Sequence, residues 1–208
     1  MPSQRGLGRI LTFADAVVAI AITLLVLPLV DLAAHGGGQS ADRLVSGHLS
    51  QFGAFALSFV VIAQLWIAHR KLFEEVGGYD PMIIRLTLLW LFTVAFLPFP
   101  TAVLATGSGQ HWASTLYVGT LLASSLALAA TSAWVGTHPA LQLTAGASHR
   151  TDESHWTTAI LLTLAFAMTT LLPSASVWPL LLLVLTGPVN ALRRRRSGPP
   201  ATKVRGGG

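Results

Sequence analysis

The chain lacks cysteine entirely, so neither disulfide bonds nor thiolate metal ligands are available to it. It also has few charges: Asp, Glu, Lys and Arg make up 10% of its 208 residues, whereas a typical soluble domain carries about 25%. Hydrophobic residues make up 52% of the chain. A composition this poor in charge and rich in apolar residues predicts an integral membrane protein.

Catalytic signatures are absent from the sequence as well. Asp15 is the only acidic residue clearly inside an apolar run, and there are no paired carboxylates, no HExxH motif and no GxSxG motif. The seven His residues are scattered over loops and the ends of apolar runs, and no two share a helix face at metal-ligand spacing. We therefore expect no enzymatic activity, no metal site and no cofactor.

Long apolar runs are what the sequence has instead. The hydrocarbon core of a bilayer is about 30 Å thick, and a helix crosses it with roughly 20 apolar residues. Six segments are candidates: residues 10–30, 48–69, 81–104, 112–135, 156–172 and 177–192. The sequence predicts an all-α integral membrane protein with six transmembrane helices over residues 1–192, followed by a basic, disordered cytoplasmic tail over residues 193–208.

The distribution of Lys and Arg predicts the orientation. An even number of helices places both termini on one side, and twelve of the thirteen Lys and Arg residues fall on that side, with only Arg43 opposite. Positive charge favours the cytoplasm, so both termini are expected there. The tail is expected to bind anionic lipid and not nucleic acid, because no folded basic domain accompanies it. A cleaved signal peptide is the alternative for the first segment, but Asp15 and the length of the run argue against it.

The tetrapeptide YVGT, residues 117–120, superficially resembles a channel selectivity filter. Filter loops are non-helical backbone, whereas this tetrapeptide lies inside the fourth apolar run without a turn signal. We therefore expect no re-entrant filter loop. In the third run, Pro98 and Pro100 are expected to kink or end the helix.

The first apolar run carries a periodic pattern. At about 100° per residue, five positions of a helix fall within one narrow stripe, and Thr23 lies on its shoulder. This first-helix stripe consists of Phe13, Ile20, Leu24, Leu27 and Asp31. From periodicity alone, a packing seam against a neighbouring helix is favoured over a functional surface.

The identities of the residues change this interpretation. The segment RILTFADAVVAIAITLLVLPL, residues 9–29, resembles the first helix of the transmembrane protein 175 family, the bacterial and lysosomal potassium channels. That family's pattern is an Arg, three residues, Phe-Ser-Asp, and then an apolar helix rich in Ala and Ile. Arg9, Phe13 and Asp15 match the pattern, while Ala14 replaces the usual Ser.

Two later segments agree with this resemblance. WIAHRKLF is similar to the end of the family's second helix through Trp66, His69 and Phe73, and LLWLFTVAFLPFPT is similar to the third-helix segment that ends in Pro-Phe. The likeness covers the first half of the chain, and the second half matches only in hydropathy. Pro28 stands where many bacterial members carry an acid, so the end of the first helix is expected to bend differently.

The resemblance implies a potassium-permeable channel in the bacterial plasma membrane, with the first helix of each subunit lining a central pore. Because this chain has one copy of the six-helix unit, a homotetramer would supply the four pore helices. The family's apolar constriction is carried onto Ile20, Leu24 and Leu27, its pore hydroxyl onto Thr23, and Asp31 is placed at the pore mouth. The implied partners are potassium ions, membrane lipid and further copies of the chain.

Asp15 lies about 140° around the helix from the first constriction residue, so it is expected to face its own bundle. Arg9 lies six residues earlier and does not stack on Asp15 as an i,i+4 pair. The resemblance implies a structural polar network in which Arg9, Phe13 and Asp15 meet Trp66 and His69, with Asp15 paired to Arg9, His69 or both. The alternative is an interfacial aspartate solvated among the headgroups.

Two other functions remain open from the sequence. A small-solute or proton-coupled transporter would place its site inside each bundle, among broken helices and midplane polar groups, of which this sequence has few apart from Ser and Thr. A non-conducting accessory membrane subunit would need no ion path. The mass of the detergent-solubilised particle separates the two from the channel, because a monomer would count against a pore built from four subunits.

Overall fold

Helices form nearly all the regular structure in the described part of the chain. The computed structural model describes residues 4–35, 38, 40–106 and 110–143. In these ranges the helices are α1 Gln4–Leu24, α2 Leu27–His35, α3 Ala41–Gly47, α4 Leu49–Phe73, α5 Pro81–Phe96, α6 Pro98–Ala105, α7 Gln110–Thr137 and a 3-10 turn at Pro139–Leu141. The only β-type contact within them is an isolated bridge between Val76 and Gln142.

Four helical stretches are long and apolar enough to cross a membrane, namely Arg5–His35, Leu49–Phe73, Pro81–Ala105 and His111–Thr137. They coincide with the first four predicted segments, so an all-helical, multi-pass architecture is confirmed for the described part of the chain. The predicted fifth and sixth segments, 156–172 and 177–192, and the tail 193–208 lie outside the described residues. The total of six helices and the cytoplasmic termini therefore stay predictions. Helix α3 was not predicted.

The first span is longer than predicted, and it is broken near its C-terminal end. Helices α1 and α2 are separated by a turn at Leu25 and Val26. The Val26 N–H donates to the Thr23 carbonyl at 3.3 Å, an i→i−3 bond in place of the helical i→i−4 bond. Pro28 explains the break, because it has no N–H for the Leu24 carbonyl and its ring collides with that carbonyl in a regular helix.

The third span is interrupted at Leu97, between α5 and α6, as the prolines predict. Pro98 lies at the start of α6, where a missing N–H is tolerated. The Leu97 N–H turns to the Val94 carbonyl at 3.2 Å, again an i→i−3 bond. The predicted kink in the third span is thus confirmed.

A buried group of hydroxyls lies beside this break. Ser58 of α4 is 2.8 Å from the Thr101 hydroxyl of α6 and donates to the Tyr117 hydroxyl of α7 at 3.2 Å. Thr101 also donates to the Leu97 carbonyl at 2.8 Å. All three hydroxyl side chains are buried. The group therefore ties three spans together where the α5–α6 backbone is irregular.

The core lies mainly between α5 and α7. Trp90 and Val94 of α5 and Tyr117 and Val118 of α7 are all fully enclosed. The segment YVGT is part of the α7 helix, so the prediction that it is helical, and not a filter loop, is confirmed.

Candidate functional site in the first helix

Helix α1 has two contrasting faces. Its buried face follows the helical period and packs against α4 and α5. This face consists of Leu7, Ala14, Val18, Ala21 and Leu25. The two alanines allow the neighbouring backbone to approach closely, as small residues do between membrane helices.

The first-helix stripe lies on the exposed side of the first span. Its apolar members, Phe13, Ile20, Leu24 and Leu27, are between 45% and 59% exposed, and Asp31 is exposed as well. Large apolar side chains that stay exposed along one line need a partner, which in a membrane protein is lipid, another subunit or the lumen of a pore. The packing seam favoured by periodicity is therefore not within the described part of this subunit.

Thr23, on the shoulder of the stripe, is also exposed. Its hydroxyl donates to the Ile20 carbonyl at 2.8 Å. Because the proton is used inside the helix, the hydroxyl oxygen keeps its accepting capacity for a group outside the helix.

Asp15 faces the second span rather than the stripe. Its Oδ1 accepts a hydrogen bond of 2.8 Å from Nε1 of Trp66 in α4. The Arg70 guanidinium lies 5.6 Å from the centre of the Trp66 ring, within the range of a cation–π contact. Asp15 nevertheless stays exposed on the surface of the described bundle.

Two members of the predicted polar network take other positions. Arg9 is exposed, and within the described ranges it has neither a hydrogen bond nor an ion pair, so the expected Arg9–Asp15 pair is not formed in the subunit. His69 is buried and stacks on Trp90 with ring centres 4.1 Å apart and on Phe73 at 4.5 Å. Its Nε2 has no hydrogen-bond partner among the described residues. The structure thus brings together Asp15 and Trp66, while His69 packs among aromatic rings and lies within electrostatic range of Asp15.

The structure contains a second tryptophan–aspartate contact, which the sequence did not predict. Asp80 accepts from the Ile83 backbone N–H at 2.8 Å, which caps α5, and from Nε1 of Trp134 in α7 at 2.9 Å. Burial raises the pKa of Asp80, but these hydrogen bonds outweigh it and hold the pKa below its ordinary value of 3.8. The Asp80-Pro81 pair was a readable signal, since it combines a favoured cap with proline at the first helical position.

An apolar groove lies beside the break in the first span. We call it the α2–α6 groove; its volume is about 280 Å³. It is lined by Leu24, Leu27, Pro28 and Asp31 of the first span and by Pro98 and Ala102 of α6. Both proline-containing breaks of the bundle thus face the same space.

No group of three or more His, Asp or Glu side chains in the described ranges is placed to hold a metal ion. The first-helix stripe and its shoulder therefore offer a surface made of apolar side chains, the Thr23 hydroxyl and the Asp31 carboxylate.

These features define a class of protein: a multi-pass helical membrane protein whose first span exposes a long apolar stripe on one side and holds a tryptophan-bound aspartate on another. Residues 9–98 match the sequence signature of the family described as endosomal/lysosomal potassium channel TMEM175. This stretch of the chain is thus similar to the TMEM175 family, and the resemblance seen in the first-helix motif is confirmed.

Relatives of this chain occur in bacteria and vertebrates. A Streptomyces collinus protein named as a potassium channel is 36% identical over 127 residues, covering 59% of this chain and 61% of that protein. A Chamaesiphon minutus protein, also named as a potassium channel, is 37% identical over 131 residues, covering 60% and 64%. The human endosomal/lysosomal proton channel TMEM175 is 31% identical over 99 residues, covering 47% and 19%. The chain thus spans less than two thirds of these bacterial relatives.

A solved structure shares the fold. The crystal structure of a lysosomal potassium-selective channel TMEM175 homolog from Chamaesiphon minutus aligns with a TM-score of 0.69 and 28% sequence identity. The alignment covers 91% of this chain and 98% of that chain.

Proposed function

We propose that this chain is the subunit of a potassium-permeable channel in the bacterial plasma membrane, a homotetramer in which the first span of each subunit lines the pore. The observation that carries the proposal is the first-helix stripe, which is exposed in the subunit and lies within the segment that matches the TMEM175 family. The names of the bacterial relatives support potassium as the permeant ion. No cofactor and no chemical reaction are required.

The proposed gate is hydrophobic. Four copies each of Ile20, Leu24 and Leu27 would form successive apolar rings around the axis, and a narrow apolar passage resists wetting. A cation that enters it loses hydration without gaining oxygen ligands, which is unfavourable. Potassium sheds its water more easily than smaller cations do, so a tight ring that is wetted favours potassium. The Thr23 oxygens, with their protons used inside the helix, suit weak cation coordination beside the rings.

The proposed orientation follows from the charges. The start of α1 lies against the α4–α5 connection, because Gly6 packs closely on Tyr79. Arg70, Lys71 and Arg85 therefore belong to the same end of the bundle as the start of α1. Under the positive-inside rule this end is cytoplasmic. Asp31 then lies at the outer mouth, where its negative charge attracts cations, and the segments at 156–172 and 177–192 complete six spans.

The bond between Asp15 and Trp66 would then brace the pore helix from the cytoplasmic end. It joins α1 to α4 on the side away from the stripe, so it holds the helix without entering the pore. Phe13 would lie at the cytoplasmic entrance of the pore. Arg9 would contact solvent or lipid phosphate near this entrance. His69 would stabilise the bundle through its packing on α5.

The test is electrical. Purified protein in planar bilayers under a potassium gradient should give a current that reverses near the potassium equilibrium potential. Leu24→Asn and Leu27→Asn should each raise this current, because a polar ring holds water. Leu88→Asn is the matched control, because Leu88 is similarly exposed but lies on α5, and it should leave the current unchanged.

Three results would contradict the proposal. A monomeric detergent-solubilised particle would remove the shared pore and favour the transporter. No current from well-folded tetramers would favour the accessory subunit. Equal effects of Leu24→Asn and Leu88→Asn would show that the stripe faces lipid or another helix rather than the pore.

A further inference from the structure

The two parts of the first span are attached to the bundle very differently. Helix α1 is anchored by its buried face, by the bond from Trp66 to Asp15 and by the close packing of Gly6 on Tyr79. Helix α2 contributes no buried residue at all. Among the described residues, the first part is therefore the more firmly packed, and the second part contacts α4 without burying a side chain.

The backbone hydrogen bonding between α1 and α2 is also irregular. Pro28 leaves the Leu24 carbonyl without its helical partner, and the turn is closed by the i→i−3 bond from Val26 at 3.3 Å. The Thr23 hydroxyl binds the Ile20 carbonyl just before the turn, an arrangement that favours bending of helices. Proline breaks of this kind are the usual origin of sharp helix kinks.

Space for movement lies on one side of the break. The α2–α6 groove separates Leu27, Pro28 and Asp31 from Pro98 and Ala102. Its walls are mostly apolar and favour closure, whereas the Asp31 carboxylate in the same lining opposes closure unless it keeps its hydration. A swing of α2 in this direction would therefore replace an open groove with packed contacts.

From these observations we infer that Leu25 and Val26 form a hinge, and that α2 swings into the α2–α6 groove while α1 stays in place. Pro28 is the positioning residue of this hinge. A swing of about 20°, the size of a sharp kink, moves the far end of the nine-residue α2 by about 5 Å, because at 1.5 Å per residue the helix is about 13 Å long.

The consequence for conduction rests on the proposed function. In a tetramer, the swing would change the distance of Leu27 and Asp31 from the axis, whereas Ile20, on α1, would keep its position. The outer ring would then open and close independently of the inner ring. The hinge itself is a property of one subunit and is measurable without any current.

Distances between spin labels within one subunit test the hinge. Because the chain has no native cysteine, labels can be placed at Ala34 in α2 and Trp112 in α7, both exposed. Ala16 in α1 and Phe92 in α5, exposed as well, give the reference pair for the fixed part. Labelled subunits are diluted with unlabelled full-length protein in lipid. We expect a broad or two-peaked distribution for the first pair and a single narrow peak for the reference pair.

Two variants test whether the swing depends on the α2–α6 groove and on Pro28. Ala102→Phe fills the groove and should reduce the Ala34–Trp112 distribution to one narrow peak, whereas Ala95→Phe, on an exposed position of α5 away from the groove, should not. Pro28→Ala returns an N–H to the Leu24 carbonyl and should also narrow the distribution, whereas Pro81→Ala, outside the groove, should not.

The outcomes distinguish failure of the hinge from failure of the proposed channel function. Equally narrow peaks for both wild-type label pairs, or a broad Ala34–Trp112 distribution that survives Ala102→Phe and Pro28→Ala, overturns the hinge even if potassium flux is normal. A distribution that narrows as expected in protein that carries no potassium flux supports the hinge and rejects the proposed function.

Discussion

Trp66 donates its indole N–H to Asp15 across 2.8 Å, and this bond joins the first span to the second. It explains how an acidic residue is tolerated at the head of a long apolar run. The Arg70 guanidinium lies on the same tryptophan ring and brings positive charge near the carboxylate. The contacts that Asp15 makes in the described bundle therefore come from the second span and not from Arg9.

Removing the Trp66 donor should loosen the first span. Trp66→Phe keeps an aromatic ring but loses the N–H and part of the indole surface, and we expect a loss of at least about 1 kcal/mol of stability, the usual net value of an intramolecular hydrogen bond. Asp15→Asn keeps an acceptor oxygen and should cost less. Thermal melting followed by size-exclusion chromatography in detergent measures both. Trp112→Phe is the control, because Trp112 is 78% exposed and ties no helices together.

The same measurement separates this bond from the predicted ion pair. If Arg9 stabilised Asp15 in the assembled protein, Arg9→Gln would destabilise it at least as much as Trp66→Phe. We expect Arg9→Gln to have little effect, because exposed charges with no close partner contribute little to stability.

The sequence predicts the described spans better than it predicts the contacts between them. Apolar length marks the four described spans, and Pro98 marks the break in the third, because both features act within one segment. The contact from Trp134 to Asp80 joins residues 54 positions apart, and its formation depends on how α5 and α7 pack. The family motif placed Asp15 and Trp66 in one cluster, but it also placed Arg9 there. Arg9 lies on another side of α1, since six residues turn a helix by about 240°.

A side chain at Gly6 would have to displace the Tyr79 ring. A Cβ at Gly6 would overlap the Tyr79 ring, whereas one at Gly8 would meet nothing within 4 Å. We expect Gly6→Ala to destabilise the protein by about 1 to 3 kcal/mol, as overpacking does. Gly8→Ala is the matched control and should be neutral or stabilising by about 0.5 to 1 kcal/mol, because alanine favours helix.

A rescue experiment checks the cause of the Gly6 effect. Adding Tyr79→Ala to Gly6→Ala should restore part of the lost stability, because it removes the ring that the new methyl group meets. If the losses of stability from Gly6→Ala and Tyr79→Ala simply add in the double variant, overlap with Tyr79 does not explain the effect of Gly6→Ala.

Asp80 should make stability depend on pH in the acidic range. Its folded-state pKa lies below the ordinary value, so its contribution is fully present above about pH 4 and disappears as the pH falls through the lowered pKa. The wild-type melting temperature should therefore fall more steeply between about pH 5 and pH 2 than that of Asp80→Asn. Asp31→Asn, which removes an exposed carboxylate on α2, is the control. Parallel pH profiles for wild type and Asp80→Asn would contradict the assignment.

The hydrogen bond between the Ser58 and Tyr117 hydroxyls predicts that the double variant is more stable than one of its single variants. Ser58→Ala leaves the Tyr117 hydroxyl fully enclosed without its one partner in the described structure, and a buried orphan of this kind costs about 1 to 3 kcal/mol. Tyr117→Phe should cost less, because Ser58 keeps Thr101 at 2.8 Å and can donate to it. The double variant removes both partners of the bond, so it should be more stable than Ser58→Ala alone. Chemical or thermal unfolding of the four proteins in one detergent measures this order. If the two losses simply add, the Ser58–Tyr117 hydrogen bond does not stabilise the bundle.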